Sequence, residues 1–248
     1  MRRLFYVSCV LLPGMIVAAV ALFPGQRLSM AFTILTGIGK DRLQADIDAL
    51  EAKAIARNHF SQAERDFLTD FYRTLATGAR LSIYVGQTGR LMDHYLDATG
   101  SDYELHPSIF TKNEKVQKQK QSLRESNAAR QCKSGRLVSP VFYMPDASEI
   151  DSVFGLYYGR LHLKLQRATG DRCLLQWRAE VPWHWPSYDQ LKRKYGTYHA
   201  ESFPLPNLIS LTTGADHALY VDNGLGEYLV QLRLARSFLA FAQWEEFE

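Results

Sequence analysis

The spacing of apolar residues predicts helices in the first half of the chain. In residues 41–59, apolar side chains recur every three or four positions and would form one stripe along a helix. Another helix is predicted to begin at Ser61, because Ser61 and Glu64 fit a capping box, in which each side chain satisfies a backbone amide of the first turn. Gly78 is expected to end that helix. Further helices are predicted at residues 88–98 and 114–125.

In the second half of the chain the pattern changes to the alternation that is typical of strands. Leu161, Leu163 and Leu165 alternate with polar residues, and residues 173–181 alternate in the same way. Turn-forming residues lie between the two runs, so an antiparallel hairpin is predicted. Prolines place a strand within residues 138–145 at or near a sheet edge. A helix at residues 226–236 and a strand at residues 238–247 complete the predicted elements.

Residues 4–23 form an apolar run of twenty residues without a charge, preceded by Arg2 and Arg3. As a helix it would span roughly 30 Å, the thickness of the hydrocarbon core of a bilayer. We predict a single-pass signal anchor in the bacterial inner membrane. A cleaved signal peptide is the alternative, with Ala19-Val20-Ala21 as the cleavage site. The arginines keep residues 1–3 cytoplasmic and place the bulk of the chain in the periplasm.

The predicted fold class is α+β: an N-terminal membrane helix, a helical region, then an antiparallel sheet with a C-terminal helix and strand. Residues 24–40 follow the anchor as a membrane-proximal segment. Residues 41–136 form the helical region and its basic connection, and residues 137–248 form the sheet region. The helices and the sheet are expected to pack as one periplasmic domain, since the chain is long enough to bury a core.

Charge is concentrated in residues 111–136, which carry eight basic and two acidic side chains and are net +6. The rest of the chain is therefore net −3. This stretch is either a solvated surface or a surface that meets an anionic lipid or an envelope protein. The overall charge of +3 is too small to indicate nucleic acid.

Cys132 and Cys173 would lie in an oxidising compartment if the bulk of the chain is periplasmic. Their separation of 41 positions allows either a disulfide or a pair of buried free thiols. The sequence has no phosphate-binding loop, no dinucleotide fingerprint, and no zinc or serine-hydrolase motif. No cofactor is therefore predicted, and the sequence does not predict a metal site.

The sequence PWHWPSYDQLKRKYGTYH, residues 182–199, is called the aromatic segment below. It brings together the side-chain types that phosphate-ester chemistry needs. Tyr188, Asp189 and His199 are the candidate catalytic residues, and Lys192 and Arg193 are the candidate phosphate-binding residues. The competing interpretation is structural: a tryptophan- and proline-rich loop that covers a core and leads into a short capped helix.

The chain also resembles the catalytic part of colicin M-type bacteriocins between Leu81 and Glu248. The matching features are DHYLDATGSDYELHPSIF, the strand YGRLHLKL, the pair Tyr188-Asp189, and a closing helix followed by a strand. The resemblance implies hydrolysis of the lipid II peptidoglycan precursor at the periplasmic face of the membrane. It also implies a divalent metal, Mg²⁺.

The departures from that family affect its catalytic positions. The aspartate expected two positions before the tyrosine is Pro186, and the family's His-Arg dipeptide is replaced by Asp222-Asn223. His199 is followed by Ala200 and is a poor substitute. We therefore favour a membrane-anchored periplasmic protein with a non-catalytic interaction role, related to toxin or immunity biology or to envelope maintenance. The alternative is a colicin M-like hydrolase of a lipid-linked phosphate.

Overall fold

A computed structural model describes residues 25–81, 86–126, 129, 131–144, 158–167, 172–198, 202–205 and 218–248. These residues form two compact units, each built from two stretches of the chain. Unit 1 takes the residues up to Gly78 and from Trp185 to Ala235, and unit 2 takes those from Ala79 to His184 and from Arg236 to Glu248. None of the helices within the described residues is long and apolar enough to cross a membrane. The predicted anchor at residues 4–23 lies outside those residues.

The helices and strands alternate irregularly along the chain, so the fold is α+β as predicted. The helices are α1 Gln26–Thr36, α2 Lys40–Ile55, α3 Gln62–Leu81, α4 Gly86–Leu96, α5 Ser108–Thr111, α6 Glu114–Arg124, α7 Tyr188–Tyr195 and α8 Asn223–Gln231. The strands are β1 Tyr103–Glu104, β2 Gly135–Val138, β3 Phe142–Tyr143, β4 Tyr158–Arg167, β5 Cys173–Trp183, β6 Ser202–Leu205, β7 Leu219–Asp222 and β8 Phe238–Phe247.

Unit 1 is mainly helical, and its helices bury the apolar stripes that the sequence pattern predicts. On α2, Ile47 is fully buried and Leu50 nearly so. On α3, Leu68 and Phe71 lie on the same face one turn apart, and both are fully buried. Helix α3 continues through Gly78 to Leu81, so the predicted stop at Gly78 is wrong. Gly78 has open space around it and simply occupies the exposed side of the helix.

A two-stranded ribbon completes unit 1, with β6 and β7 paired antiparallel. The Gln44 side chain from α2 forms two hydrogen bonds with the backbone of β7, as a neighbouring strand would. Its Nε2 donates to the carbonyl of Tyr220 at 2.9 Å, and its Oε1 accepts from the Tyr220 amide at 2.8 Å. Helix α2 is thereby held against β7.

Unit 2 is built on a mixed sheet with the strand order β1-β8-β5-β4-β2, and β3 also pairs with β4. The predicted hairpin is confirmed, because β4 and β5 pair antiparallel from Arg160↔Glu180 to Arg167↔Cys173. The predicted final strand is confirmed as β8, which pairs antiparallel with β5. The expectation of a purely antiparallel sheet is wrong, since β1 runs parallel to β8. With only two residues, β1 is too short to show an alternating pattern in the sequence.

The inner face of this sheet carries Leu163, Leu175 and Trp177, which are almost completely buried. Asn113 is the N-cap of helix α6, and its side chain accepts hydrogen bonds from the amides of Lys115 and Val116. The Asn113 amide also donates to the Met144 carbonyl at 3.0 Å.

Cys132 and Cys173 form a disulfide in unit 2, with their sulfur atoms 2.13 Å apart. The sequence leaves open a disulfide or a pair of free thiols, and the structure has the disulfide. The bond joins the residues just before β2 to the first residue of β5.

The predicted capping box at the start of α3 is confirmed. The Ser61 amide donates to Glu64 Oε2 at 2.7 Å, and the Glu64 amide donates to Ser61 Oγ at 3.3 Å. The Glu64 carboxylate also forms an ion pair with Lys53. The Lys53 ammonium and the Ser61 amide together lower the pKa of Glu64 to about 2.

We expect Glu64→Gln to lower the free energy of unfolding by about 1 kcal/mol at pH 7, because it removes the ion pair and weakens the cap. The stabilisation requires the ionised carboxylate, so it is present above the ordinary pKa of 4.5 and is lost as the pH falls towards 2. Urea unfolding at pH 7 and pH 3 checks this. A difference between the two proteins that does not shrink at pH 3 would contradict the assignment.

Candidate functional site

The two tryptophans at the start of the aromatic segment pack against other aromatic rings. Trp183 is the last residue of β5 and is buried in unit 2 against Phe238, with ring centroids 5.5 Å apart. Trp185 belongs to unit 1 and meets Tyr72 edge-on at 5.7 Å. The indole of Trp185 also lies directly over Gly226 of α8, where a β-carbon would come within 2.1 Å of the ring.

The predicted short helix is confirmed as α7, which begins at a second capping box. Ser187 Oγ accepts from the Gln190 amide, and the Gln190 side chain accepts from the Ser187 amide. Gly196 ends the helix in the left-handed conformation, with φ of 78°. The Tyr188-Asp189 pair therefore lies in the first turn of a helix and not in an open loop.

Tyr188 points into the core of unit 1. Its ring lies over Gly224, where a β-carbon would approach the ring to 2.4 Å, and only 7% of the residue is exposed. Within the part of the chain that the structure describes, its hydroxyl is buried and has no hydrogen-bond partner. Burial raises the pKa of Tyr188, and the negative charges of Glu51 and Asp222 raise it further. The phenol is therefore held in its neutral form.

Asp189 points outwards and forms an ion pair with Arg57, and both side chains are mostly exposed. Consecutive residues on a helix project about 100° apart, so Tyr188 and Asp189 cannot face one reacting atom together. A cooperating Tyr-Asp pair was the core of the hydrolase hypothesis. The helix separates the two side chains.

The two candidate phosphate-binding residues are engaged locally. Lys192 donates to the Tyr198 hydroxyl at 2.9 Å and lies over its ring at 4.6 Å, and this hydrogen bond raises the pKa of Lys192. Arg193 donates to the Asp189 carbonyl one turn earlier at 3.2 Å. The third candidate catalytic residue, His199, lies outside the described residues.

A cleft of about 650 Å³ opens in unit 1 beside α2. Its polar lining consists of carboxylates, tyrosines and one amide: Asp48, Glu51, Asp222, Tyr198, Tyr220 and Gln44. Glu51 and Asp222 are buried, with 6% and 2% exposed, while Asp48 is exposed. Glu51 Oε1 accepts a hydrogen bond from the Asp222 amide at 2.8 Å, which joins α2 to the end of β7.

The described lining of this cleft is acidic. It contains three carboxylates and no basic side chain, and carboxylates repel a diphosphate. A divalent cation could reverse that sign. However, no group of three or more His, Cys, Asp or Glu side chains within the described ranges is arranged to hold a metal ion. Of the three site residues implied by the family resemblance, Tyr188 is buried, Asp189 is paired with Arg57, and His199 lies outside the described residues.

Glu227 on α8 is a titratable residue that sequence analysis did not select. Its Oε2 is buried and unpartnered among the described residues, and burial raises the pKa of Glu227 from 4.5 to about 7. Because the folded state favours the protonated form, the contribution of Glu227 to stability is greatest below pH 4.5 and falls as the pH rises towards 7.

We expect Glu227→Gln to abolish most of this pH dependence. At pH 8 the variant should be about 1–2 kcal/mol more stable than the natural protein, a value reduced for partial exposure. At pH 4 the two proteins should have nearly the same free energy of unfolding. Urea unfolding at both pH values checks this, and equal stability at pH 8 would contradict a buried, ionising Glu227.

The basic stretch at residues 111–136 is partly neutralised inside unit 2. Lys120 and Arg124 both form ion pairs with Glu246 at the end of β8. The remaining described basic side chains are exposed: Lys112, Lys115, Lys118, Lys133 and Arg136. These five residues, called the basic surface below, remain open to an anionic partner.

No family model, curated protein or solved structure matches this chain. The resemblance to colicin M-type bacteriocins remains a prediction from short motifs.

The cleft could not be recognised from the sequence, because its residues come from distant parts of the chain. One local signal existed. Glu51 lies at helical spacing from Ile47 and Ala54, so it occupies the buried stripe of α2, where a charge requires a partner. Its partner, the amide of Asp222, is 171 positions away.

Proposed function

We propose that this chain is a membrane-anchored protein of the bacterial envelope that acts by binding, without catalysis, on the periplasmic side. The supporting observation is the orientation of the Tyr-Asp pair on α7. Tyr188 is buried and neutral over Gly224, and Asp189 is paired with Arg57 at the surface. These positions support a structural role for the two residues.

The proposed attachment is the apolar run at residues 4–23, with residues 1–3 in the cytoplasm. A role in toxin or immunity biology or in envelope maintenance is consistent with this location. The disulfide between Cys132 and Cys173 is compatible with an oxidising compartment.

The proposed binding surface is the basic surface of unit 2. Its five exposed cations are not matched by the two acidic residues of the same stretch, Glu114 and Glu125. A tethered protein meets the membrane at high effective concentration, so anionic lipid headgroups are the partner that this surface fits best. An acidic envelope protein is the other candidate.

The experiment that tests the non-catalytic proposal uses the full-length chain in detergent with lipid II and Mg²⁺. We expect no release of the water-soluble head group above a protein-free control. Head-group release that is lost in Asp189→Asn but kept in Asp46→Asn would overturn the proposal in favour of the hydrolase. Asp46 is a matched control because it is an exposed carboxylate on α2 of the same unit.

The basic surface is tested separately with the same protein. Binding of the full-length chain in nanodiscs to vesicles containing anionic lipid should weaken when Lys112, Lys115 and Lys118 are changed to Gln, and it should weaken with salt. Binding that is unchanged by these substitutions would remove anionic lipid as the partner of this surface.

A further inference from the structure

Helix α1 buries Met30 and Ala31, turns its one charged side chain inwards and leaves apolar side chains exposed. Arg27 is its only charged residue, and the guanidinium points inwards. It donates to the Arg73 carbonyl at 3.2 Å and to Thr77 Oγ1 at 3.0 Å, in the last turns of α3. The cation lies near the negative end of the α3 dipole, where it is electrostatically favourable.

The outward face of α1 is apolar. Phe32 is 54% exposed and Leu35 is 53% exposed, and Ile38, just beyond the helix, is 60% exposed. Ser29, which is exposed, and Thr36, which is half-buried, are the polar residues nearest to them on this face, and neither is charged. A helix at a protein–water boundary normally exposes charged and polar side chains instead.

The position of α1 in the chain indicates what covers this face. The uncharged run at residues 4–23 ends two residues before Gly25, which precedes the helix. If that run crosses the bilayer, α1 begins at the membrane surface. Its eleven residues span about 16 Å, so Phe32 and Leu35 remain close to the boundary.

We propose that α1 lies in the periplasmic membrane interface, with Phe32, Leu35 and Ile38 inserted among the lipid chains. This inference rests on the membrane attachment proposed above. An interfacial helix places its apolar face roughly 5–10 Å into the boundary between headgroups and acyl chains. The inward ion–dipole contact of Arg27 removes the one charge that would oppose this position.

The test uses the full-length chain in vesicles of zwitterionic lipid, with an environment-sensitive NBD fluorophore on Leu35→Cys. The parent carries Cys9→Ser, and Cys132 and Cys173 are protected from labelling by their disulfide. Ile38→Cys provides an independent second position. Tyr195→Cys on α7 is the matched control, because it is an exposed apolar residue of the same unit.

We expect blue-shifted emission at positions 35 and 38, and severalfold stronger quenching by lipids with a shallow acyl-chain nitroxide than at position 195. Vesicle-bound protein whose positions 35 and 38 are quenched no more than position 195 would overturn this inference and leave the attachment intact. Shielding that rises with the protein-to-lipid ratio, without lipid quenching, would identify a second copy as the occupant and also overturn it. Protein that fails to float with vesicles would overturn both proposals.

Discussion

Replacing Gly226 by Ala is expected to lower the free energy of unfolding by about 2–3 kcal/mol, the usual cost of overpacking. The new β-carbon would lie 2.1 Å from Cε3 and 2.4 Å from Cδ2 of Trp185. The indole cannot move away freely, because Tyr72 meets it edge-on at 5.7 Å. Helix propensity alone predicts the opposite sign, since Ala is favoured over Gly by up to about 1 kcal/mol.

Gly78→Ala is the matched control for this prediction. Gly78 also lies in a helix of unit 1, but among the described residues nothing outside the backbone of its own helix lies within 4 Å of the added β-carbon. This variant should be about 0.5–1 kcal/mol more stable than the natural protein. Urea unfolding followed by circular dichroism measures both variants. A Gly226→Ala protein as stable as Gly78→Ala would show that Trp185 does not pack on α8.

Removing the disulfide should have the largest effect on stability. Changing Cys132 and Cys173 to Ser frees a loop of 41 residues in the unfolded chain. Loop-closure entropy gives a loss of about 4 kcal/mol, at the upper end of measured values. Cys132 lies three residues before β2, an exposed sheet edge that pairs only with β4 among the described strands. Detachment of β2 should therefore begin the unfolding of the variant.

The measurement compares urea unfolding of the natural protein with and without a phosphine reductant. Reduction should destabilise the natural protein and leave the double Ser variant unchanged. The denatured, oxidised protein should contain one free thiol, Cys9, of the three cysteines in the chain. Three free thiols without reductant, together with no effect of the reductant on stability, would contradict the bridge.

Much of the secondary structure follows from local patterns. The capping boxes at Ser61 and Ser187, the β4–β5 hairpin and the final strand depend on residues that are close in sequence. The errors also have local causes. Gly78 was predicted to end a helix, but an exposed glycine costs only about 1 kcal/mol, which the buried face of α3 outweighs. The closing helix is predicted at residues 226–236. It runs from Asn223 to Gln231 and so includes both Gly224 and Gly226.

The candidate site was less predictable because its chemistry depends on where side chains point and on which distant residues they contact. The aromatic segment offered suitable residue types, yet the sequence could not show that Tyr188 turns into the core and Asp189 away from it. Nor could it show that Glu51 of α2 meets Asp222 of β7. Such contacts join residues more than a hundred positions apart, where periodicity carries no information.

The sequence by itself determined the uncharged N-terminal run, the helical first half, the hairpin and the capped helix of the aromatic segment. These features arise from hydrophobic periodicity and backbone capping, which act over a few residues. Only the tertiary structure decided the disulfide, the parallel β1–β8 pair, the acidic cleft and the inward direction of Arg27. Each of these depends on which distant surfaces pack together, and that is set by burial and pairing across the whole chain.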